Sequence, residues 1–204
     1  MMDLWDRCVN DEQRKYLTVY FCSGARLREA LTLKPEQFAI NNYAIVINNV
    51  MVEKHFDYLK DDAGQKLRNT DPRLKRKYVT KTRKVVRRIR IPRGRNPLAE
   101  PLVTFVEECE DDYLLPAIAR HGGCSREAPA SKSYAYGVIH SIDDRIWPHW
   151  IRSQTAQYLI EVLKLSSFQI TNWFKWSSAD IASRYLVESD SEWSKAMNVP
   201  QWPT

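Results

Sequence analysis

The 204-residue sequence predicts an α+β domain, predominantly helical, with a small antiparallel β-sheet or hairpin. Three observations lead there. Apolar residues recur at three- and four-residue spacing in several stretches punctuated by Pro, Gly and Asn. Two stretches in the first half are β-rich and flanked by turn residues. The apolar content of 44% is ample for a packed core without covalent staples.

Taken in order, residues 11–33 read as one helix, because Leu17, Tyr20, Phe21, Gly24, Leu27 and Leu31 share a face and Arg26 and Glu29 lie on the opposite stripe. Residues 38–51, interrupted at Asn41-Asn42, read as a short strand or hairpin, and residues 55–70 as polar and irregular. Residues 78–91 alternate in part through Val79, Val85, Ile89 and Ile91, which suggests a second hairpin with Thr82-Arg83-Lys84 between its arms. Residues 97–110 form a helix, residues 111–130 a long surface connection, and residues 132–142 a further helix. Pro148 suits a helix start, with the helix continuing through residues 149–165. Residues 168–176 are a short helix. Ser177 and Asp180 give a capping signal for residues 178–187, and residues 191–198 form a last short helix.

Cys8, Cys22, Cys109 and Cys124 make no CxxC pair, so neither a disulfide scaffold nor a zinc ribbon is expected, and a reducing, cytoplasmic setting is. The N-terminus has no signal-peptide pattern, and no run approaches the roughly 18 apolar residues of a membrane span. No membrane association is therefore expected.

Charge is unevenly placed. Residues 73–95 hold twelve Lys and Arg and no acid, and removing those twelve from the formal +6 leaves the rest of the chain at −6. A basic block on an otherwise acidic protein is suited to a polyanion, of which nucleic acid is the commonest. Lys75, Arg76, Lys77, Arg83, Lys84, Arg87 and Arg88 are the candidate phosphate contacts. A solvated basic loop is the alternative reading.

Two short elements carry chemistry. His149-Trp150-Ile151-Arg152 places an imidazole beside a guanidinium on one helical face. Ser23-Gly24-Ala25-Arg26-Leu27-Arg28-Glu29-Ala30 places an arginine three residues before a carboxylate in an apolar setting, where a buried charge needs a partner. Either alone is compatible with a plain structural ion pair. Together, and in order along the chain, these segments resemble the tyrosine recombinase, or phage integrase, family. The octet 23–30 looks like the TGxRxxEL element, His149 and Arg152 match HxxR, and Thr80-Lys81-Thr82 resembles the hairpin bearing that family's lysine. Trp176 stands where the family has histidine or tryptophan, and Tyr185, nine residues later, takes the nucleophile's place. Lys175-Trp176 replaces the usual Gly-His, and Gln154-Thr155-Ala156 departs from the usual tail of HxxR.

The resemblance implies that residues 1–204 constitute a catalytic domain, with the family's N-terminal core-binding domain absent. It also implies the roles that follow. Arg26 and Arg152 hold the scissile phosphate, as planar guanidiniums do bidentately, and Glu29 orients the site. His149 exchanges a proton near neutrality. Trp176 donates one N–H and cannot act as a base. Lys81, with Lys84 as its competitor, protonates the leaving 5′ oxygen, and Tyr185 forms a covalent phosphotyrosine. Neither a metal nor another cofactor is expected, and the six scattered glycines make no nucleotide-binding loop. A homotetramer on DNA is the expected assembly, with residues 191–198 docking either on their own domain or on a neighbour.

Three other readings compete. A type IB topoisomerase shares the chemistry, and a silent relative would bind DNA without cutting it. Gln169-Ile170-Thr171-Asn172-Trp173-Phe174 resembles a homeodomain recognition helix, but its apolar residues are better explained by packing, and a helix break and an acid follow where a basic continuation is required.

Overall fold

A computed structural model describes residues 1–59, 78–118 and 124–176, with the backbone alone at 51–59, 78–85 and 124–127. The chain divides into two compact units, Met1–Val50 with Arg88–Thr204, and Met51–Arg87. The described elements bear out the α+β expectation: seven α-helices, a three-stranded sheet and a two-stranded one.

The first unit is organised around α2 (Asp11–Ser23), which follows the short α1 (Met2–Arg7). Asn10 caps α2 by accepting from Gln13 N–H at 2.8 Å. Tyr16 through Ser23 are all buried, so the later turns of this helix are covered on every side, by α4 (Ala99–Glu107), α5 (Lys132–Ile142) and α6 (Pro148–Glu161). The expected single helix over 11–33 is in fact two. Gly24 takes a left-handed conformation, φ 49°, and its N–H closes the last turn onto Tyr20 O at 2.9 Å. The chain then re-enters a helix at α3 (Leu27–Leu31).

β1 (Phe38–Ile40) and β2 (Ala44–Leu59) form the expected hairpin, with Phe38 opposite Ile47 and Ile40 opposite Ile45. The turn closes because Asn41 Oδ1 accepts from the N–H groups of Tyr43 and Ala44, both at 2.9 Å. β2 continues to Leu59, into the stretch expected to be irregular. β3 (Tyr78–Pro92) is one strand beside β2, where a hairpin turning at Thr82-Arg83-Lys84 was expected. Its partner is the distant β2 rather than its own second arm, a pairing that local sequence does not encode.

The connection at 111–130 is more ordered than expected. β4 (Pro116–Ile118) and β5 (Cys124–Pro129) pair antiparallel within it, and Leu114 N–H reaches Leu33 O at 2.8 Å. Ser131 caps α5, and Pro148 opens α6, which stops at Glu161, short of the expected Leu165. α7 (Ser167–Phe174) starts in a capping box, in which Ser166 Oγ accepts from Gln169 N–H and Gln169 Oε1 accepts from Ser166 N–H. The helices expected at 178–187 and 191–198 lie outside the described residues. Among the described residues no helix is long and apolar enough to cross a membrane.

The second unit contains the outer parts of β2 and β3, which are neighbours in the sheet order. Lys81, Arg83 and Lys84 belong to this part of β3.

Candidate active site

Arg26 occupies the boundary created by the break at Gly24. It is the N-cap of α3, with extended backbone (φ −68°, ψ 160°). Its N–H donates to Glu29 Oε2 at 3.1 Å and its Nη1 to Glu29 Oε1 at 3.0 Å. One carboxylate thus fixes both the backbone and the guanidinium of the same residue. Glu29 is buried, whereas the Arg26 side chain is 43% exposed, so the guanidinium keeps an open edge while its orientation is set from beneath.

Arg152 arrives from α6 and is 3% exposed. Its Nη1 donates to the carbonyl oxygen of Gly24, and its guanidinium lies 4.4 Å from the centre of the Phe174 ring. Thr155, one turn on, donates from Oγ1 to Phe21 O at 2.8 Å and ties α6 to the end of α2. The two arginines, 126 positions apart in sequence, are therefore held against one short stretch of backbone at residues 24–26.

His149 sits in the first turn of α6, on the face of Arg152, and is exposed. Partial desolvation first, and then the positive charges of Arg152 and Arg26, lower its pKa from the ordinary value. That shift favours the neutral ring over the imidazolium. That both guanidiniums act on His149 also places the imidazole and the two cations in one neighbourhood.

Trp176 closes the described part of the site. Its backbone N–H donates to Thr171 O at 3.0 Å beyond the end of α7, and its indole stacks on Phe174 with ring centres 4.6 Å apart and planes 11° apart. Ile170 and Phe174 are buried and Trp173 is partly so, which makes the apolar residues of the stretch that resembles a DNA-reading helix packing residues.

Arg26, Glu29, His149 and Arg152 are brought together, and Trp176 reaches Arg152 through Phe174. Lys81 lies in the second unit, with its backbone alone described, as do Arg83 and Lys84. Tyr185 lies outside the described residues, as do Lys75, Arg76 and Lys77. Arg88 is exposed and lines a cleft of about 600 Å³, together with Arg90, Arg95 and Lys175 over a floor that includes Leu159 and Trp173. Arg87 corrects the expectation of a phosphate contact: it is 1% exposed. Strand alternation decides this, because among the described side chains of β3 Arg87, Ile89 and Ile91 are buried and Val86, Arg88 and Arg90 exposed. Arg90 and Arg95 were missed as candidates, although the same alternation read from Ile89 and Ile91 exposes Arg90. Among the described residues no group of three or more His, Cys, Asp or Glu is placed to hold a metal ion.

The fold is that of the catalytic domain of tyrosine recombinases. The chain is similar to the XerH site-specific recombinase in its post-cleavage complex with palindromic difH substrate, at a TM-score of 0.58 and 13% identity over 97% of this chain and 50% of that one. It is similar to the XerH pre-cleavage complex at 0.55 and 16% identity, over 94% and 50%. It also resembles the Tn1549 transposon integrase bound to circular intermediate DNA, at 0.55 and 11% identity, over 98% and 61%. The chain thus spans about half to three-fifths of the length of these structures. No family model matches the sequence, and no curated protein matches it.

Proposed function

We propose that this domain cuts and rejoins double-stranded DNA at specific sites through a 3′-phosphotyrosyl intermediate, without metal or ATP. The observation that carries this reading is the convergence of Arg26, Glu29, His149 and Arg152 from two remote helix boundaries, within a fold shared with site-specific recombinases.

The chemistry follows from these groups. The Tyr185 phenol oxygen attacks the scissile phosphorus, the new P–O bond forms, and the bond from phosphorus to the 5′ oxygen breaks. His149, neutral and beside the phosphate, accepts the phenol proton. Arg26 and Arg152 stabilise the charge on the nonbridging oxygens. The low-polarity surroundings of buried Arg152 make its contribution larger than it would be in water. Trp176 donates its indole N–H to the same oxygens, and Lys81 delivers a proton to the departing 5′ oxygen. Because the phosphotyrosine retains the bond energy of the phosphodiester, attack by a 5′ hydroxyl reverses the sequence and rejoins the strand. Four copies acting on two duplexes would accomplish strand exchange, in the cytoplasm where the DNA resides.

The test is incubation with nicked suicide substrates carrying candidate attachment sites. A covalent adduct mapped to Tyr185, absent in Tyr185→Phe while DNA affinity persists, is the expected result. An adduct on another tyrosine would overturn the assignment. DNA binding with no adduct from the unsubstituted protein would leave a DNA-binding domain without catalysis.

A further inference from the structure

We infer that Phe174 is a positioning residue, a ring against which the Arg152 guanidinium and the Trp176 indole both lie, and that it holds Arg152 in the orientation that receives a phosphate. The inference rests on the functional reading above for what the phosphate belongs to, and on geometry for the rest.

Four contacts meet at this ring. The Arg152 guanidinium is 4.4 Å from its centre, within the range of an attractive cation–π contact. Trp176 stacks on it at 4.6 Å and 11°. Trp173 meets it edge-on at 4.7 Å and 71°. Gly24 comes so close that a Cβ there would sit 2.8 Å from Phe174 Cε1. Phe174 itself is fully buried.

A guanidinium has two ways to be oriented: hydrogen bonds in its plane and stacking on its face. Arg152 has both. The Gly24 carbonyl takes the Nη1 edge, and the Phe174 ring takes a face. Glu29 gives Arg26 only the first. An aromatic ring orients a cation while leaving its net charge intact. The shared ring also joins two parts of the site, since Trp176 and Arg152 both lie against Phe174.

An aliphatic residue of similar bulk fills the space without the π face, whereas tyrosine keeps it. Phe174→Leu, Phe174→Met and Phe174→Tyr are therefore compared with the unsubstituted full chain. The first readout is the Arg152 Nε–H resonance, identified by its loss in Arg152→Lys, and its titration with inorganic phosphate. The ring current should displace this resonance in the unsubstituted protein and in Phe174→Tyr. Both aliphatic variants should return it toward the free-arginine position and weaken phosphate binding by about tenfold. The second readout is single-turnover cleavage of the suicide substrate, slowed by about the same factor in the aliphatic variants, with DNA affinity unchanged and tyrosine restoring the rate. An Arg152 resonance and phosphate affinity that are indifferent to Phe174→Leu and Phe174→Met overturn the inference, as does a tyrosine variant as impaired as the aliphatic ones. If the unsubstituted protein forms no adduct, the recombinase reading fails, and the phosphate titration still decides the role of Phe174.

Discussion

Arg152 donates a hydrogen bond to the carbonyl oxygen of Gly24, so the residue that breaks the first core helix is also the anchor for the second arginine of the site. Helix termination and guanidinium placement are one structural event. Gly24 is suited to it for two reasons, its left-handed backbone and the space that a side chain would occupy.

Gly24→Ala tests that coupling. A Cβ at position 24 would lie 2.8 Å from both Phe174 Cε1 and Trp173 Cζ3, on a backbone with φ 49°. The expected cost is about 2 kcal/mol of stability from backbone strain and overpacking. Denaturant unfolding measures it, and a loss in cleavage rate larger than the loss in folded fraction is expected because Arg152 moves as well. Unchanged stability would show that the backbone there relaxes freely.

His149 gives a pH dependence of known sign. Its pKa in the folded protein is lowered by partial desolvation and by Arg152 and Arg26. As pH falls from about 6.5 toward the folded value, the unfolded chain binds the proton first, and the folded state loses stability across that window. His149→Gln should reduce the decline in Tm between pH 7 and pH 5. In an NMR titration the His149 ring should titrate below the ordinary histidine value; titration at or above it would remove the basis for assigning proton acceptance to this residue.

Lys81→Ala should cleave slowly on an ordinary substrate and recover on one whose 5′ leaving oxygen is replaced by sulfur, because a thiolate departs without a proton. Lys84→Ala is the comparison. Rescue at position 84 and not at 81 would move the general-acid role along the strand.

Salt dependence separates the basic residues of β3. Each phosphate contact adds roughly 0.9 to the log–log slope of affinity against salt. Arg88→Gln and Arg90→Gln, on the exposed face, should each flatten that slope by up to about this amount. Arg87→Gln, buried, should leave the slope unchanged. Equal effects of Arg87 and Arg88 in binding titrations would contradict the strand alternation.

The helices at 99–107, 132–142 and 148–161 were legible because helical periodicity and a helix-opening proline are local signals, and the pairing of His149 with Arg152 was legible because three residues is nearly one helical turn. The Arg26–Glu29 contact was legible for a similar reason, although it arises at an N-cap rather than within a helix. Read as a helical face, residues 11–33 concealed the break at Gly24, since glycine is tolerated in helices and what holds its left-handed conformation against Phe174, Trp173 and Thr155 comes from more than a hundred residues away. The same holds for β3, whose partner lies across a long connection, and for Arg87, whose burial depends on which face of that strand turns inward. Sequence by itself determined the chemical types and their order, because those are properties of side chains and local periodicity. Tertiary structure alone decided that Arg152 meets Gly24 and Phe174, because contacts between remote segments depend on how several helices pack at once.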